Sequence, residues 1–404
     1  MKIENRFLKY VSFDTQSSET SETAPTTSKQ IEFADFLAEE MRILGMKDVE
    51  RNEYGIVYGT IPANVEEEGE TIGFISHMDT SPDASGKDVK PQIIRDYDGG
   101  IIKLNNTMNL DPEENPELKT LIHHDLITTD GTTLLGADDK AGIAIIMTMA
   151  EYLFRHPTFL HHDISIAFTP DEEVGRGVIN FDIDRFGADY AYTVDGGPIE
   201  EYSFENFNAY KATVSIKGKS YHPGDAKNKM INALTLGRDF DILLGDVNRP
   251  EHTEGHDGFY HLHNMEGDVS NATLSYIIRE HSKEKMEELL AHMNDAAAYI
   301  NNKYGDEYIK IETVKQYENM KDIIAKRPEI VTQVSDAMID IGLSPVIAPI
   351  RGGTDGAMLS AKGLPTPNLG TGGYNYHGPY EYASLTSMKK GVELLLAIIR
   401  NSRK

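Results

Sequence analysis

The sequence predicts an α/β fold with a mainly parallel central sheet flanked by helices, interrupted by a smaller inserted α+β module. Three observations carry this. Several apolar runs end abruptly in a histidine or a carboxylate: 71–76 runs into His77 and Asp79, 164–168 into Glu172 and Glu173, and 192–194 into Asp195. Helical patterns at 143–155 and 176–187 separate these runs, so the strands read as parallel crossovers in one sheet. The middle of the chain then changes texture, alternating as βαββαβ before the helical pattern returns.

Taken in order, 5–11 and 29–44 are predicted helices: Ile31, Phe33, Ala34, Phe36, Leu37, Met41 and Leu44 recur at spacings of three and four, and Gly45 follows as a C-cap. The Ser/Thr/Glu-rich stretch 16–27 reads as a surface loop, and 55–60 as a short strand before the strand 71–76. Residues 91–133 read as short strands and turns, with Pro112 and Pro116 marking loops. Leu135-Gly136-Ala137-Asp138-Asp139-Lys140-Ala141-Gly142 is a glycine-containing turn that opens into the helix from 143. In the middle segment, 209–217, 258–266, 272–279 and 308–314 read as strands, with helices at 228–244 and 283–304, an order that suggests a ferredoxin-like module. Helices at 329–341 and 385–399 follow. The predicted organisation is a catalytic domain in two parts, 1–207 and 321–404, with an inserted lid domain at 208–320.

With 404 residues the chain exceeds the usual size of one core, and 39% hydrophobic with 26% charged residues is ordinary for a soluble protein. A formal charge of −26 argues against nucleic acid or an anionic membrane as partner, since both need a basic face. The absence of cysteine excludes thiolate ligands, so any metal must be held by His, Asp and Glu. The first eight residues carry charge where a signal peptide needs an apolar block, and the longest apolar run, 141–150, is too short for a bilayer. A cytoplasmic location is the simplest expectation.

Chemistry concentrates at the strand ends, where open α/β sheets place their sites. Adjacent side chains leaving a strand diverge, so Glu172 and Glu173 suit separate tasks, one binding a metal and one handling a proton. His77 and Asp79, two residues apart, share a face, so a carboxylate can orient a metal-bound imidazole. Together with Asp195-Gly196-Gly197 and Tyr374-Asn375-Tyr376-His377-Gly378, the set offers histidines, carboxylates and no thiol, which suits two divalent ions sharing a bridging carboxylate.

These motifs, His77-Met78-Asp79, Gly136-Ala137-Asp138-Asp139-Lys140-Ala141-Gly142, Thr169-Pro170-Asp171-Glu172-Glu173-Val174-Gly175, Tyr192-Thr193-Val194-Asp195-Gly196-Gly197 and Tyr374-Asn375-Tyr376-His377-Gly378, resemble in order and separation the dinuclear zinc peptidases that include glutamate carboxypeptidase, aminoacylase and the diaminopimelate desuccinylase. The resemblance extends to Phe74-Ile75-Ser76-His77 and to Pro349-Ile350-Arg351-Gly352-Gly353-Thr354-Asp355-Gly356 and covers essentially the whole chain. It implies two zinc ions per subunit, one held by His77, Asp138 and Asp195 and the second completed by Glu173 and His377, with Asp138 bridging; other divalent ions suit the same donors. It further implies that Asp79 supports His77, that Glu172 is the general base, and that the Asp138–Asp139 peptide bond is cis.

The implied activity is release of the N-terminal residue from tripeptides, by attack of a zinc-bridging hydroxide with Glu172 taking the proton. His222, in Tyr221-His222-Pro223-Gly224, matches a family histidine that reaches the substrate carbonyl, in dimeric members from the neighbouring subunit. Arg279 at a strand end and Arg351 before two glycines are candidates for binding a peptide's terminal carboxylate bidentately. A lid edge strand can pair with that of a second copy, giving a homodimer through the lid. The competing readings are a dipeptidase or N-acyl amino acid deacylase of the same family, and a metal-free peptide-binding protein on the same scaffold. The histidines at 123, 124, 161, 162, 252, 256, 261 and 263 fall on no motif and read as structural or solvent-facing.

Overall fold

The runs that end in candidate ligands lie side by side at the centre of an eight-stranded sheet. Ile72–His77 is flanked by Ile164–Thr169 and Tyr190–Gly196, both parallel to it, and Asn368–Gly370 pairs parallel on the far side of Tyr190–Gly196. Val57–Ile61 and Lys47–Arg51 extend one edge antiparallel; Glu201–Ser203 and Val346–Ile347 complete the other. The parallel centre is apolar on both faces, every residue of Ile72–His77 and Ile164–Thr169 being buried, as strands covered on both sides require.

The computed structural model describes residues 1–403, which divide into two units. The first comprises Met1–Phe204, Asp322–Ala348 and Thr354–Lys404. One face of its sheet carries Ile3–Val11, Lys29–Leu44, Ala137–Arg155, Pro328–Asp340 and Leu385–Asn401, whose apolar stripes join Phe74, Ile166 and Tyr192 in one large core. Each fully buried large apolar side chain there contributes about 1.5–3 kcal/mol. The other face is covered more thinly, by Val178, Phe181, Phe186, Leu359 and Leu364. A smaller sheet, Gly373–Tyr374, Tyr382–Ser384, Leu126–Thr128 and Gln92–Ile94, belongs to the same unit. Among the described residues no helix is long and apolar enough to cross a membrane.

The second unit comprises Glu205–Lys321 and Pro349–Gly353. Its four strands run in the spatial order Phe259–Gly267, Asn271–Glu280, Asn208–Lys217, Ile309–Tyr317, all antiparallel, with Ala233–Leu244 and Lys283–Tyr304 on one face. That strand order with those two crossover helices is a ferredoxin-like sandwich. The short return segment differs from expectation: Ile350 bridges to Asn206 and donates its N–H to the Glu205 carbonyl at 3.0 Å, so Arg351 lies in this unit and not with the second catalytic part.

Two predicted helices are shorter than their patterns. Of 176–187 only Ile183–Phe186 is helical, capped by Asp182, because Arg176 turns aside to hold the carbonyls of Ser21 (2.7 Å) and Thr23 (3.0 Å) while Val178 and Phe181 cover the sheet. The helix predicted from 228 begins at Ala233, since Ile231 bridges to Lys219 and Asn232 caps the first turn.

The helix Ala137–Arg155 packs directly on the strand Tyr190–Gly196: a Cβ on Gly142 would collide with the carbonyl oxygen of Val194. A backbone oxygen held in a parallel sheet cannot rotate away. We expect Gly142→Ala to cost about 3 kcal/mol, the upper end of the overpacking range, read as an earlier denaturant midpoint; an unchanged midpoint would show that helix and strand can separate freely.

Candidate active site and metal centre

Each parallel strand delivers its ligand at the carboxyl end. His77 is the last residue of its strand, Asp195 the penultimate of its own, Glu172 and Glu173 follow Thr169, and His377 lies just past Gly373–Tyr374, the short strand after Asn368–Gly370. Asp138 comes from the opening of Ala137–Arg155, where non-helical backbone at Asp138 and Asp139 and a cis bond between them precede the regular helix.

The carboxylate of Asp138 faces two imidazoles. Its Oδ1 lies 2.7 Å from Nε2 of His77, and its Oδ2 lies 3.3 Å from Nε2 of His377. The same His77 nitrogen is 3.5 Å from Asp195, and the same His377 nitrogen is 2.9 Å from Oε2 of Glu173. Two donor groups result, His77/Asp138/Asp195 and Asp138/Glu173/His377, each with its donor atoms within 4.8 Å of one another and sharing Asp138. Glu172 belongs to neither.

Burial is the largest influence on the acids. It pushes the Glu173 carboxyl up to about 7, with Asp138 adding repulsion, and Asp195 up to about 6 against the pull of His77. Glu172 is raised well above the ordinary carboxylate range by burial, with Asp195, Asp355 and Glu173 adding to it. Burial alone would raise Asp138, but hydrogen bonds from His377 and His77 hold it below its usual value. Hydrogen bonds to Asp138 and Glu173 raise His377 to about 11. Oε1 of Glu173 is buried and has no hydrogen-bond partner among the described residues. Hard nitrogen and oxygen donors, crowded acids and an orphaned carboxylate oxygen fit a pair of divalent cations.

Asp79 does more than the expected support of His77. Nδ1 of His77 lies 3.1 Å from the Asp79 carbonyl, fixing the ring, while the Asp79 carboxylate accepts the N–H of Glu172 on Oδ1 (3.0 Å) and that of Glu173 on Oδ2 (3.2 Å). Three further acids lie in the quoted motifs but carried no predicted role. Asp139 accepts the N–H groups of His77 and Gly142, both at 3.2 Å. Asp171, at φ 58°, accepts from Thr26 and Gln30. Asp355 accepts from the Thr169 hydroxyl at 2.7 Å and is pushed up to about 7 by burial. The family motifs contain all three, but nothing local to the sequence says which backbone or side-chain donors each one takes.

The three remaining candidates lie in the second unit. His222 is exposed, and its Nδ1 accepts the Gly224 N–H at 3.2 Å, which leaves the proton on Nε2. Arg279 stacks on Tyr317 and hydrogen-bonds the carbonyls of Tyr210 and Ile278 and the side chain of Gln316. Arg351 is more fully engaged: it lies over Phe207 and Phe259 and places four N–H bonds on Thr253, Gly255 and Asp257. Neither arginine makes an ion pair among the described residues.

Residues 129–401 match the model of peptidase family M20/M25/M40. Peptidase T of Desulfitobacterium hafniense (strain Y51) is 52% identical over 98% of this chain and 96% of its own length, and peptidase T of Halothermothrix orenii is 50% identical over 98% of both. The crystal structure of aminopeptidase PepT from Bacillus cereus superposes with a TM-score of 0.79 at 25% identity, covering 100% of this chain and 98% of that one. The chain belongs to peptidase family M20/M25/M40 and is a hydrolase of peptide bonds. Within that family it belongs with peptidase T.

Asp79 generates a test. An asparagine offers one acceptor oxygen where two N–H donors converge, so Asp79→Asn leaves one of them unpaired in a buried place. We expect kcat/KM to fall 10–100-fold, the usual effect of losing a residue that orients ligands, with the fold retained by circular dichroism. Wild-type turnover in that variant would mean that the loop holds its shape without the carboxylate.

Proposed function

We propose that the chain is a dinuclear zinc aminopeptidase that releases the N-terminal residue from tripeptides. The observation that carries the reading is the single carboxylate of Asp138 shared by two three-residue donor groups, with Glu172 beside them and outside both. The names of the relatives support the substrate: peptidase T for the curated ones and aminopeptidase for the Bacillus cereus structure. His77, Asp138 and Asp195 would hold one ion, and Asp138, Glu173 and His377 the other. When bound, such a pair would supply Lewis acidity toward the scissile carbonyl and lower the pKa of bound water.

Glu172 takes the proton of the attacking water on its carboxylate and returns it to the leaving nitrogen. Its burial, which raises its proton affinity, suits both halves of that transfer. Asp79 keeps Glu172 and Glu173 in register through their backbone N–H groups. His222, protonated on Nε2, is the proposed donor to the developing oxyanion. Arg279 is the proposed cation for the far carboxylate, and Arg351, whose four N–H bonds hold 253–257, the alternative. A dipeptidase or deacylase reading shares all of this except the demand for a free amine and a third residue.

Glu172→Gln should retain two zinc ions per chain by elemental analysis while kcat falls 10²–10⁴-fold, roughly the share of general acid–base catalysis. Loss of zinc from that variant would make Glu172 a ligand. Chelation should abolish activity in the wild type. Tripeptides with a free amine should be cleaved in preference to dipeptides and N-acyl amino acids; faster deacylation would overturn the aminopeptidase reading.

The arginines are separated by amidating the substrate. Losing a desolvated charge-assisted contact of about 1.5–3 kcal/mol corresponds to a ten- to hundredfold loss. We expect Arg279→Ala to lose that much on a free tripeptide and little on its C-terminal amide. Arg351→Ala should lose equally on both, since it removes the support of 253–257. Equal losses on both peptides for Arg279→Ala would remove the clamp from the mechanism.

A further inference from the structure

The segment that brings Asp138 to both donor groups is gripped by one side chain from the other end of the chain. Glu381 is 1% exposed and sits just after the turn that carries His377. Its Oε2 accepts the backbone N–H of Leu135 at 2.6 Å and of Gly136 at 2.8 Å, and its Oε1 accepts that of Asp138 at 3.1 Å. Gly136 is left-handed, with φ 82°, and this turns neighbouring amides toward one side, forming a concave backbone site for an anion. Here a carboxyl group of the chain itself fills that site.

We propose that Glu381 is the positioning residue for Asp138, setting where the shared carboxylate stands between His77 and His377. The inference rests on the reading of Asp138 as the ligand common to both ions. Both oxygens of Glu381 are engaged by donors, so a carboxamide must present its NH2 group to at least one N–H. The Asp138 amide is itself among the three donors, so a shift in the grip moves the ligand's own backbone. One ligand serves two ions, and a displaced Asp138 weakens both together.

The test is zinc release from the full-length holoenzyme against a competing chromophoric chelator. Glu381→Gln should weaken both ions in parallel by about 10–100-fold, as loss of a ligand-orienting residue does. Glu381→Asp, which keeps the charge but draws it back by one methylene, should fall between and serves where the glutamine variant fails to fold. Met338→Ala, in the core of the same unit, controls for general loosening: at matched thermal destabilisation it should hold zinc as the wild type does. Wild-type zinc affinity in both Glu381 variants, loss confined to one ion, or equal loss in Met338→Ala would overturn the proposal. Asp138→Ala run alongside separates the two readings: if it keeps both ions, the ligand assignment itself fails. If it loses both while the Glu381 variants lose neither, only the role of Glu381 falls.

Discussion

A single carboxylate placed between two imidazoles, Asp138 between His77 and His377, is the constraint the first unit is arranged around. Asp138 must approach from one side while both histidines and two more acids arrive from strand ends. The parallel centre of the sheet supplies those strand ends together, and the helix Ala137–Arg155 supplies Asp138 from across the sheet's end. So many acids in one apolar place would repel each other and resist burial. The structure divides them into two kinds. Asp79, Asp139 and Glu381 are each satisfied by two or three backbone N–H groups and act as struts. Asp195 and Glu173 have only the histidines, so their charge calls for cations.

This division explains which parts of the site were legible in the sequence. The ligand candidates stand where apolar runs break off, and a run that ends in His-x-Asp or Asp-Glu-Glu is visible without a structure. The order of the second unit's strands was legible for a similar reason, since alternation and helical spacing are local properties. The struts are different. Glu381 is one of 65 acidic residues, and nothing local distinguishes it; its partners are more than 240 positions away. Asp139 was visible as a neighbour of Asp138, but its grip on His77 and Gly142 depends on the fold of two other segments.

The misplacement of Arg351 has the same origin. Read along the chain, 349–353 falls well after the inserted module and looks like part of the returning catalytic domain. In space those residues complete the second unit, through the bridge of Ile350 to Asn206 and the seat of Arg351 over Phe207 and Phe259. A segment of five residues carries no periodicity of its own, so only its partners could reveal where it belongs.

The pair Glu172 and Glu173 shows how the struts turn identical residues into different ones. Both follow the same strand, both are partly buried, and burial raises the proton affinity of each. Their backbone N–H groups converge on the two oxygens of one carboxylate, that of Asp79, so the chain at this point has one permitted path. Along that path Glu173 turns its Oε2 to His377 and joins a donor group, whereas Glu172 remains outside both. In the proposed mechanism, Glu172 must stay out of the coordination sphere to exchange protons and Glu173 must stay in it. With the side chains chemically identical, only the backbone can make that assignment, and Asp79 is what fixes the backbone.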